Sequence, residues 1–143
     1  MKHQNIIDKL PYSKPFLFVD EILEVTLTGI TGNYTYDISL DFYKGHFTKM
    51  PITPGVILTE TMAQIGLVAL GIYLLGDKLT DDTRIAMTSV EIEFLKPVYP
   101  GEKITVTAEK VYFRFGKLKC SVRMTNAEGQ EVCSGLIAGI IIE

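Results

Sequence analysis

GHFTKMPITPGVILTETMAQ, residues 45–64, is the stretch on which this chain turns. It holds His46, the one histidine outside the N-terminal tail, and fourteen residues later the carboxylate of Glu60. Between them Pro54-Gly55 closes a loop and opens a helix. Proline suits the mouth of a helix, and glycine lets a ligand approach the backbone. A helix begun at about Gly55 leaves its first N–H groups without intrahelical acceptors, and its dipole is positive there. Such an end can hold an oxygen that is gaining negative charge. A base, an acid and an oxyanion donor are the parts needed to move a proton beside a carbonyl.

The run that follows, Val56 to Leu75, is twenty residues long and mostly apolar, enough to cross a bilayer core of ~30 Å. It carries Glu60 and Gln64 four apart on one face, which lipid would penalise. A central helix wrapped by the rest of the fold is therefore expected, and no membrane span. At 143 residues the chain is expected to form one domain over residues 1–143. A hydrophobic fraction of 47% and a charged fraction of 22% suit a globular protein, and a formal net charge of −3 gives no reason to expect nucleic acid. Two cysteines, Cys120 and Cys133, have no metal-ligand spacing and are expected in the core. With two histidines and no paired cysteines, no metal site and no cofactor are expected. No secretory pattern shows in MKHQNIIDKL, so a reducing cytoplasm is the expected location.

Upstream, Met1 to Leu10 is expected as a short amphipathic lead-in, and Phe16-Leu17-Phe18-Val19 with Asp20 to Val25 as a strand. Asn33 to Ile38 alternates in strand fashion, while Ser39 to Met50 is too broken for a regular element and presents His46. Downstream, Gly76 to Asp82 is a polar connection, and the rest is strand. Arg84 to Leu95 is stopped by Lys96-Pro97. Ile104, Val106 and Ala108 alternate with Thr105, Thr107 and Glu109, and Leu118, Cys120, Val122 and Met124 repeat the pattern. Gly116 marks the bend of a hairpin between them. Glu131 to Ile142 closes the chain, and its apolar end, Leu136 to Ile142, is expected inside the sheet. The fold class is α+β: one long central helix wrapped by a curved antiparallel sheet. Open sheet edges make self-association, as a homodimer or an assembly of dimers, the natural expectation.

His46 sits between Gly45 and Phe47 in an irregular loop, and imidazole changes charge near neutral pH, which suits a general base. Glu60 lies one turn into the apolar helix, where it can act as the acid. Gln64 can bond its carboxyl or simply line a tunnel. Other chemistries lack their parts: there is no GxSxG elbow, no phosphate-binding glycine loop and no dinucleotide fingerprint.

Several stretches occur together in order: Leu10-Pro11 with Pro15-Phe16-Leu17-Phe18-Val19-Asp20, then Gly45-His46-Phe47, then Pro54-Gly55-Val56 with Glu60 and Met62-Ala63-Gln64, then Phe94 to Gly101. Together they resemble the 3-hydroxyacyl-[acyl carrier protein] dehydratases of the hot-dog fold, the type acting in bacterial fatty-acid elongation. The resemblance implies that His46 takes a proton from C2 of a 3-hydroxyacyl thioester and that Glu60 protonates the departing hydroxyl. It also implies that Gly55 offers its N–H to the thioester carbonyl, with Val56, Gln64 and Phe47 about the substrate. The substrate would arrive on the phosphopantetheine arm of an acidic acyl carrier protein, received by cations among Lys96, Lys110, Arg114, Lys117 and Lys119. The histidine and the acid would meet across a two-fold dimer. The chain departs from the family's LPHR at Tyr12-Ser13, and from its proline after GHF at Thr48. Both departures bear on substrate preference. Three alternatives remain. A hot-dog acyl thioesterase would not need His46. A coenzyme A-dependent hydratase would use Asp41, five residues before His46. A non-catalytic acyl-binding subunit would need neither His46 nor Glu60.

Overall fold

A computed structural model describes residues 3–142. A short helix, α1 (Gln4–Asp8), leads to a hairpin of β1 (Glu21–Val25) and β2 (Gly29–Thr35). The central helix α2 follows, then four long strands: β3 (Arg84–Phe94), β4 (Lys103–Arg114), β5 (Lys117–Thr125) and β6 (Glu131–Ile142). All pair antiparallel in one sheet of order β1-β2-β4-β5-β6-β3. Helix α2 lies against one face of this sheet as α-helical Gly55–Met62, π-helical Ala63–Ala69 and α-helical Leu70–Leu75, ending in a 3₁₀ turn at Gly76–Lys78.

The alternation of strand residues decides which face meets the helix. Ile104, Val106, Ala108, Leu118, Cys120, Val122 and Met124 are buried against Met62, Ile65, Leu67, Ala69 and Leu70. Helix and sheet approach closely at Gly66, where a Cβ would stand 3.0 Å from both Ala108 Cβ and Val122 Cγ1. The stretch long enough to cross a membrane is thus the hydrophobic centre of a packed fold: its most apolar window is 72% buried. Both cysteines are buried and unpaired, and burial pushes each thiol up to about 12. Neither thiol is available as a nucleophile at neutral pH.

Four expectations need correction. The strand expected from Phe16 begins only at Glu21. Phe16–Val19 is irregular because its backbone bonds to a side chain of α2 and not to a neighbouring strand. The strand expected at Asn33–Ile38 is Gly29–Thr35, since pairing with β4 runs from Gly29↔Glu109 to Thr35↔Lys103. The loop from Ser39 contains a 3₁₀ turn, Asp41–Lys44. The last strand does lie inside the sheet, but Ile140 and Ile142 are exposed. Strand period turns them to the outer face, over which this chain lays no second layer.

The sheet ends on one side with β1, five residues long, and on the other with β3, eleven residues long. Edge strand β3 exposes Met87, Val90 and Phe94 beside its unpaired backbone groups. A long apolar edge of this kind is a template for a second chain.

Candidate active site

The loop before α2 is held at both ends. Gly45 and His46 donate their N–H groups to Phe42 O, at 3.2 and 3.1 Å. Tyr43 and Thr53 share a hydroxyl hydrogen bond of 2.5 Å, and Thr53 N–H donates to Val98 O at 2.7 Å. Between these anchors Phe47 adopts a φ of 53°, a left-handed conformation that bulky residues rarely take. Its ring stacks on His46 at 4.5 Å and 10° while remaining 61% exposed.

The imidazole is fixed from the other side as well. His46 Nδ1 lies 2.9 Å from Ile52 O. A carbonyl can only accept, so Nδ1 carries the hydrogen and Nε2 of the neutral ring keeps a free lone pair. That tautomer is the one a base needs.

His46, Phe47 and Ile52 line an open cleft of about 420 Å³ together with Gly55, Leu58, Phe94 and Lys96. The first intrahelical bonds of α2 are donated by Ile57 and Leu58 to Pro54 O, at 2.9 and 3.1 Å. The N–H groups of Gly55, at the cleft, and of the exposed Val56 therefore have no intrahelical acceptor, at the positive end of the helix. Gly55 also keeps its α-carbon clear for Phe94, whose ring would lie 3.2 Å from an added Cβ.

Glu60 does not line that cleft. Five residues beyond Gly55, it is turned about 140° around the helix. There its Oε2 accepts a hydrogen bond of 3.0 Å from Gln64 Nε2. Gln64 is fully buried, its Nε2 also donates to Phe16 O at 2.9 Å, and its Oε1 accepts from Phe18 N–H at 2.8 Å. Every hydrogen-bonding direction of the amide but one lone pair is used, so the amide has one orientation. Replacing Gln64 with leucine leaves Phe18 N–H and Phe16 O without partners inside the protein. At ~1–3 kcal/mol per unsatisfied group, a loss of about 2–6 kcal/mol is expected. A urea denaturation midpoint equal to wild type would mean that Gln64 does not hold this segment.

Of the residues singled out in the sequence, His46, Phe47 and Gly55 thus meet in one cleft, and Glu60 and Gln64 meet on another face of α2. Val56, 76% exposed, points away from the core beside neither group. Asp41 is exposed and pairs with Lys44 at 3.2 Å, so it does not enter the cleft. Four of the five candidate cations, Lys110, Arg114, Lys117 and Lys119, gather at the β4–β5 hairpin, and only Lys96 stands at the cleft. Two participants carry no signal of their role in the sequence: Ile52 supplies a backbone carbonyl, which every residue type has, and Phe94 has the pattern of a strand residue. Burial, and secondarily the charge of Glu60, pushes the Tyr12 phenol up to about 12.

Known proteins give the following likenesses. The FabA-like domain model matches residues 10–138. The 3-hydroxyacyl-[acyl-carrier-protein] dehydratase FabZ of Clostridium perfringens (strain SM101 / Type A) is 31% identical over 141 residues, covering 96% of either chain. The protein of the same name from Chlamydia trachomatis serovar L2 (strain ATCC VR-902B / DSM 19102 / 434/Bu) is 38% identical over 110 residues, 74% of this chain and 70% of its own. Among solved structures, the dehydratase heterocomplex ApeI:P from Xenorhabdus doucetiae matches with a TM-score of 0.80 at 12% identity. It covers 96% of this chain and 91% of that one. A hypothetical thioesterase with coenzyme A from Streptococcus pneumoniae TIGR4 matches with a TM-score of 0.63 at 16% identity, covering 85% and 84%. At these identities the structural likenesses speak for the fold alone.

Proposed function

The chain belongs to the FabA-like family and has a hot-dog fold, and from that premise we propose that it dehydrates 3-hydroxyacyl-[acyl carrier protein] to the trans-2-enoyl thioester. The observation that carries this reading is the cleft shared by His46, whose Nδ1 is bonded to Ile52 O, and the helix start at Gly55. The thioester carbonyl binds the N–H groups at Gly55 and Val56, which stabilise the enolate-like charge as the C2 proton leaves. His46 Nε2 takes that proton. The C3–O bond breaks as Glu60 gives its proton to the departing oxygen, and water leaves. Glu60 Oε2 accepts from Gln64, which leaves Oε1 as the oxygen that serves the substrate. Return of the proton from His46 to Glu60 through solvent resets the pair. No metal or cofactor takes part in this scheme.

The His46 cleft and Glu60 lie on different faces of α2, so we infer that each site is built from two chains. The β3 edge is where a second copy adds, since its exposed apolar residues end at Phe94 and Leu95, which wall the His46 cleft. Residues 1–143 act as one such domain, and the buried free thiols favour a cytoplasmic setting.

The acyl carrier protein is acidic, and the β4–β5 hairpin is built to receive acid. Among the described residues the single ion pair is Lys44–Asp41, so Lys110, Arg114, Lys117 and Lys119 keep their charge unneutralised. At the tip Phe115 is fully exposed with a φ of 51°, and Arg114 Cζ stands 4.4 Å over the Tyr112 ring. The tip pairs Lys117 with Ile140, near the Arg84 end of β3, and the cleft lies at the Phe94 end. Those ends are about 33 Å apart along the strand. Antiparallel pairing of β3 between two copies sets one copy's hairpin on the side of the other's cleft. Charge reversal of Arg114→Glu with Lys117→Glu should therefore raise KM for a carrier-linked substrate about tenfold or more at low salt. The same acyl group on N-acetylcysteamine should be turned over as by wild type. Equal loss on both substrates would remove the hairpin from carrier docking.

Direct assay tests the activity: a 3-hydroxyacyl carrier protein is offered and enoyl absorbance followed. Free acid and free thiol without enoyl product would make the protein a thioesterase. A reaction confined to coenzyme A thioesters would favour the hydratase, against which the exposed Asp41–Lys44 pair already weighs.

A further inference from the structure

Three sulfur-bearing side chains meet in the core, where dehydration has no use for them. Met62 ends the first α-helical part of α2, while Met124 on β5 and Cys133 on β6 are register partners. All three are fully buried. Met62 Sδ stands 3.8 Å from Cys133 Sγ, and Met124 Sδ stands 4.0 Å from it. Met62 is 71 residues from Cys133 in sequence, so no ligand spacing announces the group. Cys120, equally buried, makes no such sulfur contact among the described residues. Sulfurs held about 2.3 Å from one ion stand about 3.8 Å apart in a tetrahedral set and about 4.0 Å apart in a trigonal one. The spacings at Cys133 have those values, so an ion bound among these sulfurs needs no added cavity.

We propose that Cys133, Met62 and Met124 form a site for one soft monovalent cation, Cu(I). Ligand type selects the ion first, because thiolate and thioether sulfur favour Cu(I) while hard ions prefer oxygen. Charge selects it further. The ion takes the place of the thiol proton, which leaves to solvent, so one thiolate and one monovalent cation make a neutral unit. Zinc on the same sulfurs would leave a net positive charge in an apolar core, which is penalised. Among the described residues no group of three His, Cys, Asp or Glu side chains could hold a metal ion, so a harder ion finds no rival site. The bound ion joins α2 to β5 and β6 just beyond Glu60. Its entry waits on local opening of the core, so loading is slow.

Binding is read on the full chain under nitrogen, with Cu(I) titrated against the chelator bicinchoninate and Ag(I) as a probe that keeps its oxidation state. The wild-type chain should hold one equivalent, and X-ray absorption of the copper should show sulfur neighbours alone at about 2.3 Å. Cys133→Ala and Met124→Leu should each weaken binding by about 10²-fold, since losing even a ligand's supporting partner costs about 10–100-fold. Cys120→Ala should leave it unchanged. Loading should raise the Tm of the wild-type chain and not that of Cys133→Ala. Full affinity in Cys133→Ala, loss of affinity in Cys120→Ala, or a shell of nitrogen and oxygen would overturn the proposal. So would a wild-type chain that takes no copper from the chelator. The wild-type absorption spectrum decides the matter even where a core variant fails to fold, and none of these readouts depends on dehydration.

Discussion

Replacing His46 with alanine, or Glu60 with glutamine, is expected to lower dehydration by about 10²–10⁴-fold each, the usual worth of a positioned general acid or base. The two losses differ in origin. His46→Ala removes the acceptor for the C2 proton and also the ring on which Phe47 stacks. Glu60→Gln keeps the shape and puts an amide where the proton donor stood. Both side chains are only part-buried, and neither belongs to the hydrophobic core. Urea midpoints should therefore stay near that of wild type, as for most substitutions away from core features. Asp41→Asn is the control: its carboxylate faces solvent beside Lys44, so turnover should be unchanged. Near wild-type turnover of His46→Ala would end the dehydratase reading and put hydrolysis of the thioester first.

Mixing the two inactive chains is expected to restore activity. If each site takes His46 from one chain and Glu60 from the other, a dimer of one His46→Ala and one Glu60→Gln chain has one doubly damaged site and one intact site. Such a dimer should show about half of wild-type activity, and random co-assembly, in which about half of the dimers are mixed, should show about a quarter. Sites confined to single chains would each carry a lesion and recover nothing. The expectation comes from the faces of α2. Gly55 and Leu58 look into the His46 cleft, whereas Glu60 is held by Gln64 against the Phe16 segment. Purified mixed dimers no more active than either parent would defeat the shared site. The assignments of His46 and Glu60 rest on the single variants and would stand.

The central helix, the alternating strands β4 and β5 and the hairpin at Gly116 were legible because each is written in local period. Their apolar residues recur where a helix or a pleated strand turns one face to the core. The segment from Phe16 to Val19 was misread for the same reason. Its apolar and aromatic residues have strand character, but its backbone is claimed by Gln64, 46 and 48 residues away. No local pattern reports such a bond. The tautomer of His46 was equally hidden, since it is set by a carbonyl that every residue possesses.

By itself the sequence determined the fold class and the helix start at Pro54-Gly55, and it placed a histidine and an acid fourteen residues apart about that start. These follow from covalent geometry and side-chain type, which act over a few residues. Only the tertiary structure decided that His46 and Gly55 share a cleft and that Glu60 faces elsewhere, bonded to Gln64. It also placed the cations of the β4–β5 hairpin at the far end of β3. The physical reason is that a helix turns about 100° per residue, so a short step in sequence becomes a change of face. Which neighbour meets each face depends on how the sheet wraps around it.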